Sequence, residues 1–179
     1  SAYLEEALRR AQARDLGELR RAQVRVPQLI DAPEWVSHLI MAADSFVFAR
    51  PLPDAPDGES VIAGYPWFGD WGRDTMIALP GLALATGRFE TARRVLQTFA
   101  RFVDRGMLPN VFPGQGDVPE YNTVDAALWF FQAVEAYVEA TGDTSLLEQV
   151  YPALEDIGAY YERGLLHPFL DYDEVPAYL

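Results

Sequence analysis

Two stretches of this chain repeat one pattern: LALATGRFETARRVL, starting at Leu82, and YVEATGDTSLLEQVY, starting at Tyr137. Each reads as a helix, an Ala-Thr-Gly step, and an amphipathic helix, with the tripeptides at 85 and 140. A repeat of this length built on helix, glycine and helix is the mark of stacked helical pairs. In each copy the first helix is the more apolar and the second is charged on one side, which suits inner helices wrapped by outer ones. A long loop rich in Gly, Pro and aromatics precedes each pair, so both loops are expected at the same end of the array.

The rest of the chain fits this plan. Leucines at 4, 8, 16 and 19 among Glu and Arg predict a first helix with a charged face, ended by Pro27. Asp31-Ala32-Pro33 reads as the start of a second helix, with Trp35, Leu39, Ala43 and Phe46 on one side. Residues 50–60, RPLPDAPDGES, read as a loop, followed by a brief apolar run, VIAGY. Pro80 and Gly81 predict a kink or break within MIALPGLALATG. Phe89, Ala92, Leu96, Phe99 and Val103 predict an amphipathic helix stopped by Gly106. Residues 106–121 read as a long loop. Asn122 is expected to cap a helix over about 123–140, closed by Gly142, and residues 144–163 to form another, interrupted at Pro152. No run alternates convincingly as a strand, so the expected fold class is all-α.

The chain has 179 residues, half of them hydrophobic, and a net charge of −13. That length supports a sizeable core. The charge argues against nucleic acid or an anionic membrane as partner, because both would repel it. There is no cysteine, and the two histidines, His38 and His167, stand far apart. Neither a thiol nucleophile nor a zinc site is expected. No apolar run has the length of a membrane span, so a soluble, cytoplasmic protein is the expectation.

The two loops carry the chemistry. GYPWFGDWGRDT, from Gly64, and PNVFPGQGDVPEYNTVDAALWF, from Pro109, both mix aromatics with Asp, Glu, Asn and Arg. Sugars call for this mixture: their C–H faces stack on indole and phenol rings, and their hydroxyls need carboxylates, amides and guanidinium. Candidate ligands are Trp67, Asp70, Trp71, Arg73, Asp74, Glu120, Tyr121 and Asn122, with Asp125 as a candidate catalytic acid. Structural roles compete with these. The two tryptophans could fold onto the core, Arg73 and Asp74 could pair locally, and Glu120 could be merely solvated. Asp125 could belong to a capping box with Asn122, where the helix dipole would favour its ionised form. Trp129, Phe130 and Phe131 read mostly as core.

GYPWFGDWGRDTMIALPGL, GMLPNVFP and PEYNTVDAALWF, in that order, resemble the glucosidase domain of glycogen debranching enzymes, the amylo-α-1,6-glucosidase type. The likeness runs from about Ala42 to Gly164. It implies helical hairpins of an (α/α)6 toroid with about half of the ring present. Residues 1–30 would be a linker helix and 31–179 the N-terminal part of the glucosidase domain. It implies inverting release of α-1,6-linked glucose from branched α-glucan such as glycogen or limit dextrin, without a cofactor. In this likeness Arg73 and Asp74 grip the terminal glucose, Asp125 is the general acid, and Trp67, Trp71, Tyr121 and Asn122 line the subsite. The family's general base falls beyond residue 179, so this chain is expected to be an inactive portion that self-associates through exposed inner-helix faces. The tail, LLHPFLDYDEVPAYL, lies outside the likeness, and its Asp171, Asp173 and Glu174 read as a solvated acidic run. The alternatives are a related (α/α)6 α-glucosidase or trehalase-like hydrolase, and a noncatalytic glucan-binding helical scaffold.

Overall fold

A computed structural model describes residues 2–112 and 118–164. Six α-helices are present in it: α1 (Ala2–Arg25), α2 (Glu34–Asp44), α3 (Gly72–Leu79), α4 (Phe89–Ala100), α5 (Asp125–Thr141) and α6 (Ser145–Arg163). A short 3-10 turn, Pro27–Asp31, joins α1 to α2. The expected break at Pro80 is a π-helical turn, Pro80–Leu84, that continues α3.

The repeat seen in the sequence holds at the level of atoms. Gly87 and Gly142 both take left-handed backbone, at φ +72° and +69°. The threonine before each glycine donates its hydroxyl back up its own helix: Thr86 Oγ1 to Leu82 O at 2.6 Å, and Thr141 Oγ1 to Tyr137 O at 2.7 Å. Such back-bonding competes with the helical ladder, and the glycine then reverses the chain at no Cβ cost. The pairs α3–α4 and α5–α6 are thus two copies of one hairpin. Arg93 on α4 pairs with Asp143 before α6, and Gln97 donates to Gln149 at 2.5 Å, so the outer helices are stitched together.

The core lies between the four hairpin helices. Met76, Leu79, Leu96, Phe99, Phe130, Leu146 and Ile157 are fully buried there. On α4 the buried apolar residues are Ala92, Val95, Leu96 and Phe99, the helical i, i+3, i+4, i+7 stripe. Each large side chain of this kind contributes about 1.5–3 kcal/mol of transfer free energy. The last turns of α1 dock against this body. Ala22 is fully buried, and Arg88, only 4% exposed, donates to Glu18 at 2.8 Å and to the Ile40 carbonyl at 3.2 Å.

Several local expectations need correction. The fold is mostly helical but not purely so. A small antiparallel sheet, β1 (Val47–Ala49), β2 (Glu59–Gly64) and β3 (Phe68–Asp70), in the order β1-β2-β3, precedes α3. The run VIAGY, but for its final tyrosine, is part of its central strand. α4 ends at Ala100, short of Val103 and Gly106. α6 runs unbroken through Pro152; that proline is exposed, so water can serve the carbonyl left unpaired one turn earlier. α5 begins at Asp125, with Val124 rather than Asn122 at its cap and no side-chain capping bond. The chain just before it is tied down elsewhere: Glu120 pairs with Val111, and the Tyr121 hydroxyl donates to Phe102 O at 2.8 Å. Phe130 is core, whereas Trp129 and Phe131 are 40% and 36% exposed. The tail from 165 onwards, with Asp171, Asp173 and Glu174, lies outside the described residues.

Candidate active site

β3 delivers the first loop directly into α3. The second loop is knitted onto it by backbone: Trp71 pairs with Val111, Val111 pairs with Glu120, and Phe112 N donates to Asp70 O at 3.1 Å. Gly72 N donates to Asn110 O at 2.9 Å, and a Cβ on Gly72 would lie 2.0 Å from Pro109 O. Only glycine lets the two loops approach this closely. α3 and α5 pack side by side. Each begins at this knitted patch, so the first turns of both inner helices share one rim.

That rim brings Arg73 to Asp125, fifty-two positions later. Arg73 Nε donates to both carboxylate oxygens, at 3.0 and 2.9 Å, and Nη2 to Oδ1 at 2.6 Å. The local Arg73–Asp74 pair weighed from sequence is therefore not the main contact. Arg73 holds the Asp125 carboxyl below the ordinary aspartate value through these bonds, against a smaller opposing effect of burial. The Trp129 indole, one turn along α5, also helps to lower that carboxyl, as the last and smallest influence. Asp125 in turn raises Arg73, chiefly through the same hydrogen bonds. Tyr161 on α6 donates to Val124 O, and its phenol is raised by burial and then by the Asp125 charge. The side chains of Arg73 and Asp125 are 44% and 46% exposed. A pair that open to water is worth about 0–1 kcal/mol, so a competing ligand can part it.

The other sequence candidates divide. Trp67, at the β2–β3 turn after the cis Tyr65–Pro66 bond, is 84% exposed, and Phe68 packs edge-on to Trp71 at 6.0 Å. Glu120 and Asn122 are exposed at the rim. Asp74 and Arg73 line a cleft of about 340 Å³ with Phe46, Val61, Ile77 and Leu82. Asp70 and Tyr121 are not available in this way. Asp70 is 2% exposed and its carboxylate is taken by Arg50 and by Ser60 Oγ at 2.8 Å. Tyr121 is 8% exposed, and burial, then Asp104, pushes its phenol up to about 12. Both residues hold the loops rather than face the rim. Sequence reasoning missed Trp129, although its i+4 spacing from Asp125 puts both on one face of α5. A larger cavity, of about 580 Å³, lies elsewhere, between α1, β1 and the start of α4. Its arginines are mostly paired with Glu18, Asp44 and Glu59, and it contains none of the loop candidates.

The family model for amylo-alpha-1,6-glucosidase matches residues 41–173, nearly three quarters of the chain and both loops. The chain belongs to the amylo-alpha-1,6-glucosidase family. The match also corrects the sequence reading of the tail, because it continues past Gly164 through Asp171 and Asp173. Over 98 residues the chain is 42% identical to the glycogen debranching enzyme of Saccharomyces cerevisiae. That stretch is 51% of this chain and 6% of the yeast protein, so the chain spans only a small part of its curated relative.

Proposed function

We propose that this chain forms the sugar-gripping and proton-donating wall of an inverting α-1,6-glucosidase acting on the glucosyl stub of a branched α-glucan. One observation carries the reading: the two loops rich in aromatics and carboxylates converge at the Arg73–Asp125 fork, beside the cleft of about 340 Å³. Such a cleft suits one hexose. Arg73 and Asp74 would hold hydroxyls of the terminal glucose, and Trp71 and Trp129 would offer ring faces. Trp67, Glu120 and Asn122 would meet the sugars that follow. Asp125 would donate a proton to the glycosidic oxygen as the C1–O6 bond breaks, while water adds to C1 from the opposite side.

The inverting reaction needs a second carboxylate about 6.5–9.5 Å from the acid, to activate that water. We assign this base to a helical hairpin outside this chain, within an (α/α)6 ring that the two hairpins would begin. This chain alone would then bind glucosyl ends weakly and hydrolyse them negligibly.

The depressed Asp125 carboxyl favours a second reading, in which Arg73 and Asp125 only grip sugar and the chain is a glucan-binding module. Glucose release from phosphorylase limit dextrin separates the two. It is measured on a full-length family member carrying this segment, with and without Asp125→Asn. Loss of release with glucan binding kept supports the acid; retained release supports the binding module.

A further inference from the structure

An acid has to hold a proton before it can give one, and Asp125 is occupied on both oxygens by Arg73. The same guanidinium lines the cleft that Asp74 shares. Asp125 engages its Nε–Nη2 edge, and that edge serves either the carboxylate or two vicinal hydroxyls, not both at once. We propose that Arg73 is exchanged between Asp125 and the hydroxyls of an incoming glucosyl end, so that sugar binding frees Asp125 to take up its catalytic proton. This inference rests on the reading of Asp125 as the acid and adds how that acid is armed. Arg73 acts through Asp125 and is a positioning residue in this step.

The groups around Asp125 fit an exchange. From α3 it faces Arg73, on whose charge Asp74 also acts. From α6 it faces Tyr161, whose hydroxyl is held by Val124 O. From its own helix it meets Trp129. Arg73 is the one cation in this set, so its departure removes the main stabiliser of the carboxylate. The proton comes from solvent when the sugar seats, passes to the glycosidic oxygen as the bond to C1 breaks, and leaves Asp125 ionised. Release of glucose then lets the fork re-form. Both side chains are nearly half exposed, so the swap requires no rearrangement of the core.

The test follows the Asp125 carboxyl carbon by NMR in this chain, assigned by its loss in Asp125→Asn. Its titration midpoint is read with no sugar, with molar glucose, and with molar sorbitol as a solvent control. The exchange predicts an upward shift with glucose and none with sorbitol. In Arg73→Gln the midpoint should stand high without sugar and move little when glucose is added. Arg73→Lys, which keeps the charge, should keep a depressed midpoint and the wild-type circular dichroism. Glucose that perturbs the Ala126 and Ala127 amides without moving the midpoint would overturn the exchange. So would a midpoint that ignores glucose altogether, because Arg73 then stays with Asp125. Failure of the acid reading has a different signature: undiminished glucose release by the full-length Asp125→Asn variant.

Discussion

Arg50 and Asp70 form a bidentate ion pair beneath the rim where α3 and α5 begin, with Arg50 Nη2 on Asp70 Oδ1 at 2.6 Å and the guanidinium lying over the Phe112 ring. The carboxylate is 2% exposed and receives Ser60 as well. The pair anchors β3, the strand that leads into Arg73. Removing one member of such a pair strands the other charge. Asp70→Ala should destabilise the chain by about 3 kcal/mol, near the low end for buried pairs because Arg50 keeps some contact with water. Asp74→Ala, at an exposed position, should fall within about 0.5 kcal/mol of wild type. Chemical denaturation of the two variants checks the contrast.

Gly72 sets how closely the two loops approach. A methyl group there would meet Pro109 O at 2.0 Å, whereas at Gly81 it meets nothing within 4 Å. Gly72→Ala should cost about 1–3 kcal/mol through overpacking. It should also displace Arg73, the next residue, and weaken sugar binding. Gly81→Ala should be neutral or slightly stabilising. Denaturation midpoints and glucose titrations of both proteins distinguish them.

Phe99 joins the hairpin core to the second loop. It is fully buried, and its ring meets Phe112 edge-on at 4.7 Å; Phe112 in turn meets Phe102 at 4.7 Å. Phe99→Ala should cost about 3–5 kcal/mol. Because Phe112 N also bonds to Asp70 O, the loss should loosen the rim as well as the core. Faster hydrogen exchange at residues 110–112 would report that loosening.

Asp143 makes stability depend on acid pH. Hydrogen bonds from Ser145 and Tyr137, with the charge of Arg93 as a smaller influence, lower its carboxyl to about 2. The unfolded chain binds that proton at about pH 4. A depressed folded value means that the stabilisation is complete above about pH 4 and is lost as pH falls towards 2. Asp143→Asn should flatten the stability profile across that window while leaving the profile above it parallel to wild type. Urea denaturation at stepped pH gives the comparison.

What was legible in the sequence follows the range of the signal. The hairpins were legible because Ala-Thr-Gly marks the same turn twice and the apolar stripe of α4 is regular. The sheet was not, because β1 and β3 have three residues each and alternation cannot show itself over so short a run. Asn122 looks like a cap, yet α5 starts later, because pairing of Glu120 with Val111 ties the preceding chain to the other loop. Asp70 looked like a ligand because its partner, Arg50, sits in a stretch that composition marks as loop. The meeting of Arg73 with Asp125 needs tertiary packing of α3 on α5, and no local pattern announces it.

The measurement closest to the central claim is glucose release from phosphorylase limit dextrin by a full-length family member carrying this segment, with Asp125 intact or replaced by Asn. The account predicts a loss of at least about a hundredfold in kcat, the usual scale for a removed acid, with glucan binding preserved. Wild-type release by Asp125→Asn would contradict it and reduce the Arg73–Asp125 fork to a sugar-holding device.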